Sequence, residues 1–264
     1  MILSATERSY LYELLQQTPP IRPDGRSNKQ FRPIQSHIGF LDNSNGSAKI
    51  TLSDGSECIV SIKAEVVEKS TTNELVSVDV DVSGHRDDTS FILNLQSSLK
   101  TLYLKHISSE SLNLTTKFAY KLFIDVLVIS NYSYPLTLMT FTSYLALNNT
   151  YLPKITSSVD DKEIEEQPTF HDYEFNKLIG QFPIVFTVAI IGKNYIIDPN
   201  IEEMEVSDNG LIISWFNGKP ISPIQNVKLN DGNLKSVKPQ LILQSIDLVK
   251  EVANDVINSL NSAE

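Results

Sequence analysis

Residues 119–147, AYKLFIDVLVISNYSYPLTLMTFTSYLAL, decide how the rest of the chain is read. The stretch from Leu122 to Ile129 is apolar and rich in β-branched residues, and it carries one carboxylate, Asp125. Bounded by turn residues, such a run is predicted to be a strand covered on both faces. A carboxylate inside it needs a hydrogen-bond partner, and capping the nearby turn is the role expected of Asp125. The polar turn from Ser130 to Tyr134 leads through Pro135 into a second long apolar stretch. Proline suits the first turn of a helix, where its missing N–H leaves no bond unmade. The unit reads as strand, turn, helix. Free N–H groups and the positive end of the dipole converge at such a helix start, a place where phosphate can bind.

Outward from this unit, 264 residues are enough for a real core, as one large domain or two small ones. Hydrophobic residues at 41% and charged residues at 20% exclude a disordered chain. No apolar run reaches the roughly 18–20 residues of a membrane span, so no membrane partner is expected. The start, MILSATERSYLYELLQQ, lacks a basic region and a small-residue cleavage site, which argues against a secretory signal. The single cysteine, Cys58, allows no disulfide within the chain and favours an intracellular setting. A net charge of −10 argues against the whole surface being a footprint for nucleic acid. A local basic patch is not excluded by it.

Residues 4–17 are predicted to be an amphipathic helix. Ser4 and Glu7 make a capping box, and Tyr10, Leu11, Leu14 and Leu15 form its apolar face. Thr18-Pro19-Pro20 stops it. Then come Arg22, Arg26, Lys29 and Arg32, four cations within eleven residues against one Asp. They are the candidate RNA contacts, weighed against a merely solvated arm. Alternating apolar positions beginning at Ile34, Ala48, Cys58 and Val76 predict four strands of a half-covered antiparallel sheet, with an Asp54-Gly55 turn inside it. Cys58 falls on the apolar side of its strand and reads as core rather than as a nucleophile.

Asp87 or Asp88 is the expected cap of a helix running to about His106, with Phe91, Ile92, Leu95, Leu99 and Leu102 buried. After the central unit, residues 156–176 read as a polar connector. It holds Asp160, Asp161, Glu163, Glu165, Glu166, Asp172 and Glu174 beside His171, with no ligand spacing that would fix a metal. Further on, Phe182–Ile191, Tyr195–Ile197, Leu211–Trp215 and Ile221–Val227 are strands, with a hairpin turn at Asn217-Gly218. A helix from about Ser236 to Leu260 closes the chain, with Pro239 in its first turn. Strands followed by helices in both halves predict an α+β protein.

Certain residues carry a family resemblance. Arg22-Pro23-Asp24-Gly25-Arg26 precedes the four strands, Asn45-Gly46-Ser47 opens the second of them, and Val60-Ser61-Ile62-Lys63 follows the Asp-Gly turn. Phe123-Ile124-Asp125-Val126-Leu127-Val128 forms the central strand, and Ile197-Asp198-Pro199 lies in the second half. In this order and spacing they resemble the RNase PH family from about residue 20 to 260. Asp54–Lys63, Tyr151–Lys154, Pro168–Tyr173 and Asn209–Trp215 bring the likeness nearest to the subunits of the eukaryotic RNA exosome ring. The resemblance implies an RNase PH-like fold of mixed and antiparallel sheets packed with helices in two sub-domains. Residues 1–20 would be a helical arm, 21–178 a first, ribosomal-protein-like sub-domain with the acidic connector, and 179–264 a C-terminal sub-domain. It also implies a heterodimer within a ring of six such subunits around an RNA channel, RNA-binding cap subunits, attached hydrolytic nucleases, and a place in the cytoplasm and nucleus, nucleolus included.

Active members of that family cleave the 3′ end of RNA with phosphate. The attacking anion must be held beside a second anion, and the departing oxygen needs a metal or acid held by carboxylates. Active members carry Gly-Thr-Arg or Gly-Ser-Arg in the turn between central strand and helix; the matching residues here are Tyr132, Ser133 and Tyr134. A ring cannot replace arginine's bidentate, charge-assisted phosphate contact. Active members also follow the aspartate matching Asp198 with two more at intervals of about six residues, and those positions here are Met204 and Gly210. Glu202, Glu203, Glu205 and Asp208 lie close by and read as exposed carboxylates on a short helix and turn. The resemblance with these departures implies a non-catalytic chain without cofactor or metal. The competing expectation is a phosphorolytic site completed by a neighbouring subunit.

Overall fold

The computed structural model describes residues 3–72, 74–156, 168–232 and 235–262. Ser4 caps α1 (Ala5–Gln16), and the reciprocal bonds of the capping box with Glu7 are both formed. Leu11 and Leu15 are buried, whereas Tyr10, assigned to the apolar face from spacing, is 65% exposed. β1 (Ile34–Ile38), β2 (Gly46–Leu52), β3 (Glu57–Glu68) and β4 (Val76–Val82) follow where alternation places them. α2 (Ser90–His106) is capped by Thr89, whose hydroxyl accepts from the Ile92 N–H, rather than by Asp87 or Asp88. A short α3 (Ser109–Leu112) leads to the central strand β5 (Phe118–Ser130) and the central helix α4 (Leu136–Asn148).

The first sheet has the order β1-β2-β3-β5-β4, and β4 runs parallel to β5. The sheet is therefore mixed rather than antiparallel throughout. Period-two alternation reports only that one face is covered, and a parallel edge strand shows the same pattern. β5 is likewise covered on one face alone. Leu122, Ile124, Val126 and Val128 are buried, while Leu127 and Ile129 stand at about 40% exposure on the open face.

β6 (Tyr151–Ile155) pairs with β7 (Phe170–Lys177) in a separate ribbon. Part of the predicted connector is thus a strand. It was hidden because its side chains from His171 to Lys177 are all exposed, leaving no buried face to produce alternation. In the second half come β8 (Ile184–Ile191), β9 (Asn194–Ile197), α5 (Ile201–Val206), β10 (Asn209–Phe216), β11 (Lys219–Val227) and α6 (Pro239–Asn261), with Pro239 at the helix start. The second sheet has the order β11-β10-β8-β9 and is antiparallel.

α4 joins the two sheets. Its residues from Leu136 to Leu147 are all buried, and it packs on β2 and β3 on one side and β8 on the other. The threonines in this apolar helix have a physical reason. β9 pairs with β8 only from Val188 onward, which leaves the earlier β8 amides on that edge without a partner strand, β10 lying on the other. The Thr137 hydroxyl accepts the Thr187 N–H at 3.1 Å, and the Thr140 hydroxyl accepts the Val185 N–H at 3.1 Å. Buried donors are thereby satisfied. At the other end of α4, β2 passes so close that a Cβ on Gly46 would lie 2.7 Å from the Ala146 carbonyl oxygen. Only glycine permits that approach.

Candidate functional site

The turn from β5 delivers Tyr132, Ser133 and Tyr134 to the start of α4, as the spacing required. The Tyr132 N–H donates to the Ser56 hydroxyl at 3.1 Å, and its ring is half exposed. The Tyr134 ring is half-buried and meets Phe91 edge-on, with centroids 6.3 Å apart, a favourable aromatic geometry. Burial pushes its hydroxyl up to about 12. Ser133 is buried, and its hydroxyl accepts from Arg32 Nη2 at 2.9 Å. The turn has no arginine of its own, but a guanidinium reaches it from the segment ahead of β1. Sequence reasoning missed this, since nothing local connects positions 101 residues apart.

Arg32 is itself occupied. Its backbone N–H and Nε donate to Asp198 Oδ2 at 2.8 and 3.0 Å, and Nη2 donates to Oδ1 at 2.5 Å. Nη1 bonds to Asp54. Asp198 sits at φ 49°, in the left-handed region that aspartate tolerates. Burial raises its carboxyl, but hydrogen bonds and charge from Arg32, with Arg26 adding to them, outweigh that and hold it below the ordinary carboxylate range. Burial likewise opposes the charge on Arg32, and Asp198 and Asp54 more than restore it. What remains between Arg32, Ser133, Tyr134, Thr137 and Asp198 is a cavity of about 20 Å³, room for about one water.

Arg22 and Arg26 are also turned inward, and Lys29 is not. Arg22 is 3% exposed and makes a two-pronged pair with Glu203, Nε to Oε1 and Nη2 to Oε2 both at 2.7 Å. It donates as well to the carbonyls of Ser27, Ile197 and Asp198. Arg26 donates to Asp24 at 2.6 Å and Asp198 at 2.9 Å. Lys29 pairs with Glu251 at the surface. The expectation that these four read RNA is corrected for Arg22 and Arg32: both are buried, and internal carboxylates take their donors.

The acidic positions are equally settled. Met204 is buried in α5, and Gly210 is buried in β10 beside Val227 and Leu229. Glu203, read as exposed, is fully buried and completes a capping box with Asn200 besides holding Arg22. Glu205 bonds to Arg8 and to the Leu3 N–H. Asp208 accepts from the Tyr12 hydroxyl at 2.9 Å, the Gly192 N–H at 2.7 Å and Lys235 Nζ at 2.6 Å. Burial raises its carboxyl, and those bonds more than reverse the effect. Glu202 is half-buried in the first turn of α5.

Asp125 lies on the open face of β5, opposite Ser61 on β3 and Asp79 on β4. It caps no turn. Partial burial raises its carboxyl, and the neighbouring Asp79 adds to that. Cys58 is fully buried, and burial pushes its thiol up to about 12. In β7, His171, Asp172 and Glu174 are exposed and Glu174 bonds to Lys154. Asp160, Asp161, Glu163, Glu165 and Glu166 lie outside the described residues. Among the described residues no group of three or more His, Cys, Asp or Glu could hold a metal ion.

Residues 30–153 match the 3′ exoribonuclease family, domain 1. The chain is 52% identical over 265 residues to the exosome complex component RRP42 of Saccharomyces cerevisiae, with 99% of this chain and 100% of that one covered. It is 31% identical over 285 residues to exosome complex component rrp42 of Schizosaccharomyces pombe, covering 100% and 95%. Among solved structures, a chain of an archaeal exosome core superposes with a TM-score of 0.72 at 18% identity, 97% of each covered. A chain of the Archaeoglobus fulgidus exosome with RNA bound to the active site superposes at 0.73 and 17%, covering 96% and 97%. These two show the shared fold. With relatives matched from end to end and that fold in both halves, the chain belongs to the RNase PH family of 3′ exoribonucleases.

Proposed function

We propose that this chain is a non-catalytic ring subunit of an RNA exosome, serving 3′-to-5′ RNA processing and decay, ribosomal RNA maturation included. The observation that carries the reading is the filled site at the start of α4. Arg32, the cation that reaches the turn, is held by Asp198 and Asp54. The space left is about 20 Å³, too small for a phosphate beside a second anion. Of the nearby carboxylates, Glu203, Glu205 and Asp208 are bonded to cations of this chain.

The full-length match to two exosome components supports assembly with a second RNase PH-like subunit in a six-membered ring. Cap subunits and hydrolytic nucleases would bind that ring, in the cytoplasm and in the nucleus with its nucleolus. Residues 21–178 and 179–264 are the proposed sub-domains, preceded by the arm at 1–20. Contacts to RNA in the channel would fall mainly on neighbouring subunits, since the guanidinium groups of Arg22, Arg26 and Arg32 are turned inward. The test is to incubate the chain and its pair partner with 3′-labelled RNA and inorganic phosphate. No nucleoside diphosphate should form. Release that Asp208→Asn abolishes would overturn the reading and establish a site shared across the interface.

A further inference from the structure

The lead-in to β1 and the second half of α6 enclose a groove of about 550 Å³. One wall is a stripe of α6 that includes Val252, Asp255, Val256 and Leu260; the other includes Ile34 and Ser36. β1 is the outermost strand of its sheet. The Gly39 N–H donates to the Ser47 carbonyl at 2.8 Å, and the Ser53 N–H donates to the Pro33 carbonyl at 3.1 Å. In an antiparallel pair the bonded positions alternate, so odd-numbered residues carry the ladder to β2. The N–H and C=O groups of Ile34, Ser36 and Ile38 therefore point away from β2, along the open edge.

Charge at the rim is one-sided. Lys29 is paired with Glu251, and the Arg32 guanidinium is turned to Asp198 and Asp54. Asp255 is exposed and forms no ion pair among the described residues. A free strand edge recognises another backbone. The apolar stripe accepts alternate side chains, and the unmatched carboxylate favours a cation and repels a polyanion.

We propose that this groove takes an extended basic and apolar peptide segment of a partner protein. The segment adds as a strand to the edge of β1, lays apolar side chains on Val252, Val256 and Leu260, and sets a lysine or arginine against Asp255. This reading rests on the groove alone and stands or falls separately from the ring assignment.

The test uses the full chain and two labelled synthetic octapeptides, one alternating valine with lysine and the other valine with glutamate. Binding is followed by fluorescence anisotropy, and amide exchange is resolved residue by residue. The lysine peptide should bind and slow exchange at Ile34, Ser36 and Ile38, while Gln35 and His37, already bonded to β2, do not change. Asp255→Lys should weaken it about tenfold, a difference of roughly 1.4 kcal/mol, and admit the glutamate peptide. Ser36→Pro, which removes one outward N–H and no ladder bond, should weaken it as well. Failure of the lysine peptide to bind would refute the proposal, as would equal affinity for Asp255→Lys. So would binding without protection at the three amides, or a single-stranded RNA that protects them instead.

Discussion

Two regions tie the halves of this chain together by opposite means. α4 does it with apolar surface, buried along its length between the sheets. The segment from Arg22 to Arg32 does it with charge: Arg22 to Glu203 and Arg32 to Asp198, each pair spanning more than 160 residues. Apolar contact is non-directional, and a gap costs only what is missing from it. A buried ion pair is directional, and its net worth is small beside the penalty for losing one member. The helix should therefore degrade by degrees and the charged region abruptly.

The largest effect is expected from Arg22→Ala. It strands Glu203, whose side chain is fully buried, and such a loss costs about 3–5 kcal/mol. Against a total of roughly 5–15 kcal/mol, urea unfolding should show a large share of the stability gone. The double variant Arg22→Met with Glu203→Leu should recover part of it, because two apolar chains of similar volume leave no unpaired charge, although the Ile197 and Asp198 carbonyls lose their donor. A single variant as stable as wild type would end the contrast. Next is Met139→Ala, deep in α4, with an expected loss of about 3 kcal/mol and a fold that survives. A cost above that of Arg22→Ala would reverse the order.

Legibility in the sequence divides along the same line. Strands covered on one face were readable because such burial leaves a period-two trace in local sequence. α4, buried all round, was readable from Pro135 and the long apolar run behind it; β7, exposed from His171 to Lys177, left neither signal. β4's place beside β5, and β5's open face with Leu127 and Ile129 on it, were not, since each depends on a neighbour supplied from elsewhere in the chain. Polar partnership leaves no such trace. Arg22 and Arg32 have the same composition signal whether they meet RNA or a carboxylate 181 or 166 residues away. The family resemblance implied that the turn lacks an arginine at Tyr134, but nothing local announced the arrival of Arg32 at Ser133. Glu203 did carry a signal, the Asn200–Glu203 capping box, which placed its carboxylate on the helix start rather than in solvent.

Acid should act on the charged region and spare the helix. The Asp198 carboxyl is held below its ordinary range in the fold, so its contribution is full above the unfolded value near 4 and is lost as pH falls through the folded value. Unfolding free energy measured from pH 5 downward should drop. In Asp198→Asn it should start lower, with Arg32 left short of a partner, and fall less steeply. Parallel slopes would mean that other carboxylates carry the acid response.

The smallest effect is expected at Lys29, whose head is exposed where those of Arg22, Arg26 and Arg32 are not. The Lys29 side chain is 52% exposed and its partner Glu251 58%, and exposed pairs of this kind are weakened by water and by the entropy of two long side chains. Lys29→Ala should leave the unfolding midpoint unchanged within error. Its value lies in a second reading, RNA affinity of the assembled complex at low salt, where each phosphate contact adds to the salt slope. If the arm serves the fold and neighbours supply the RNA contacts, both measurements stay flat. A lowered affinity with an unchanged midpoint would make Lys29 the point where charge is kept for a ligand rather than for the chain, and the boundary between the two uses would fall within the arm, between Lys29 and Arg32.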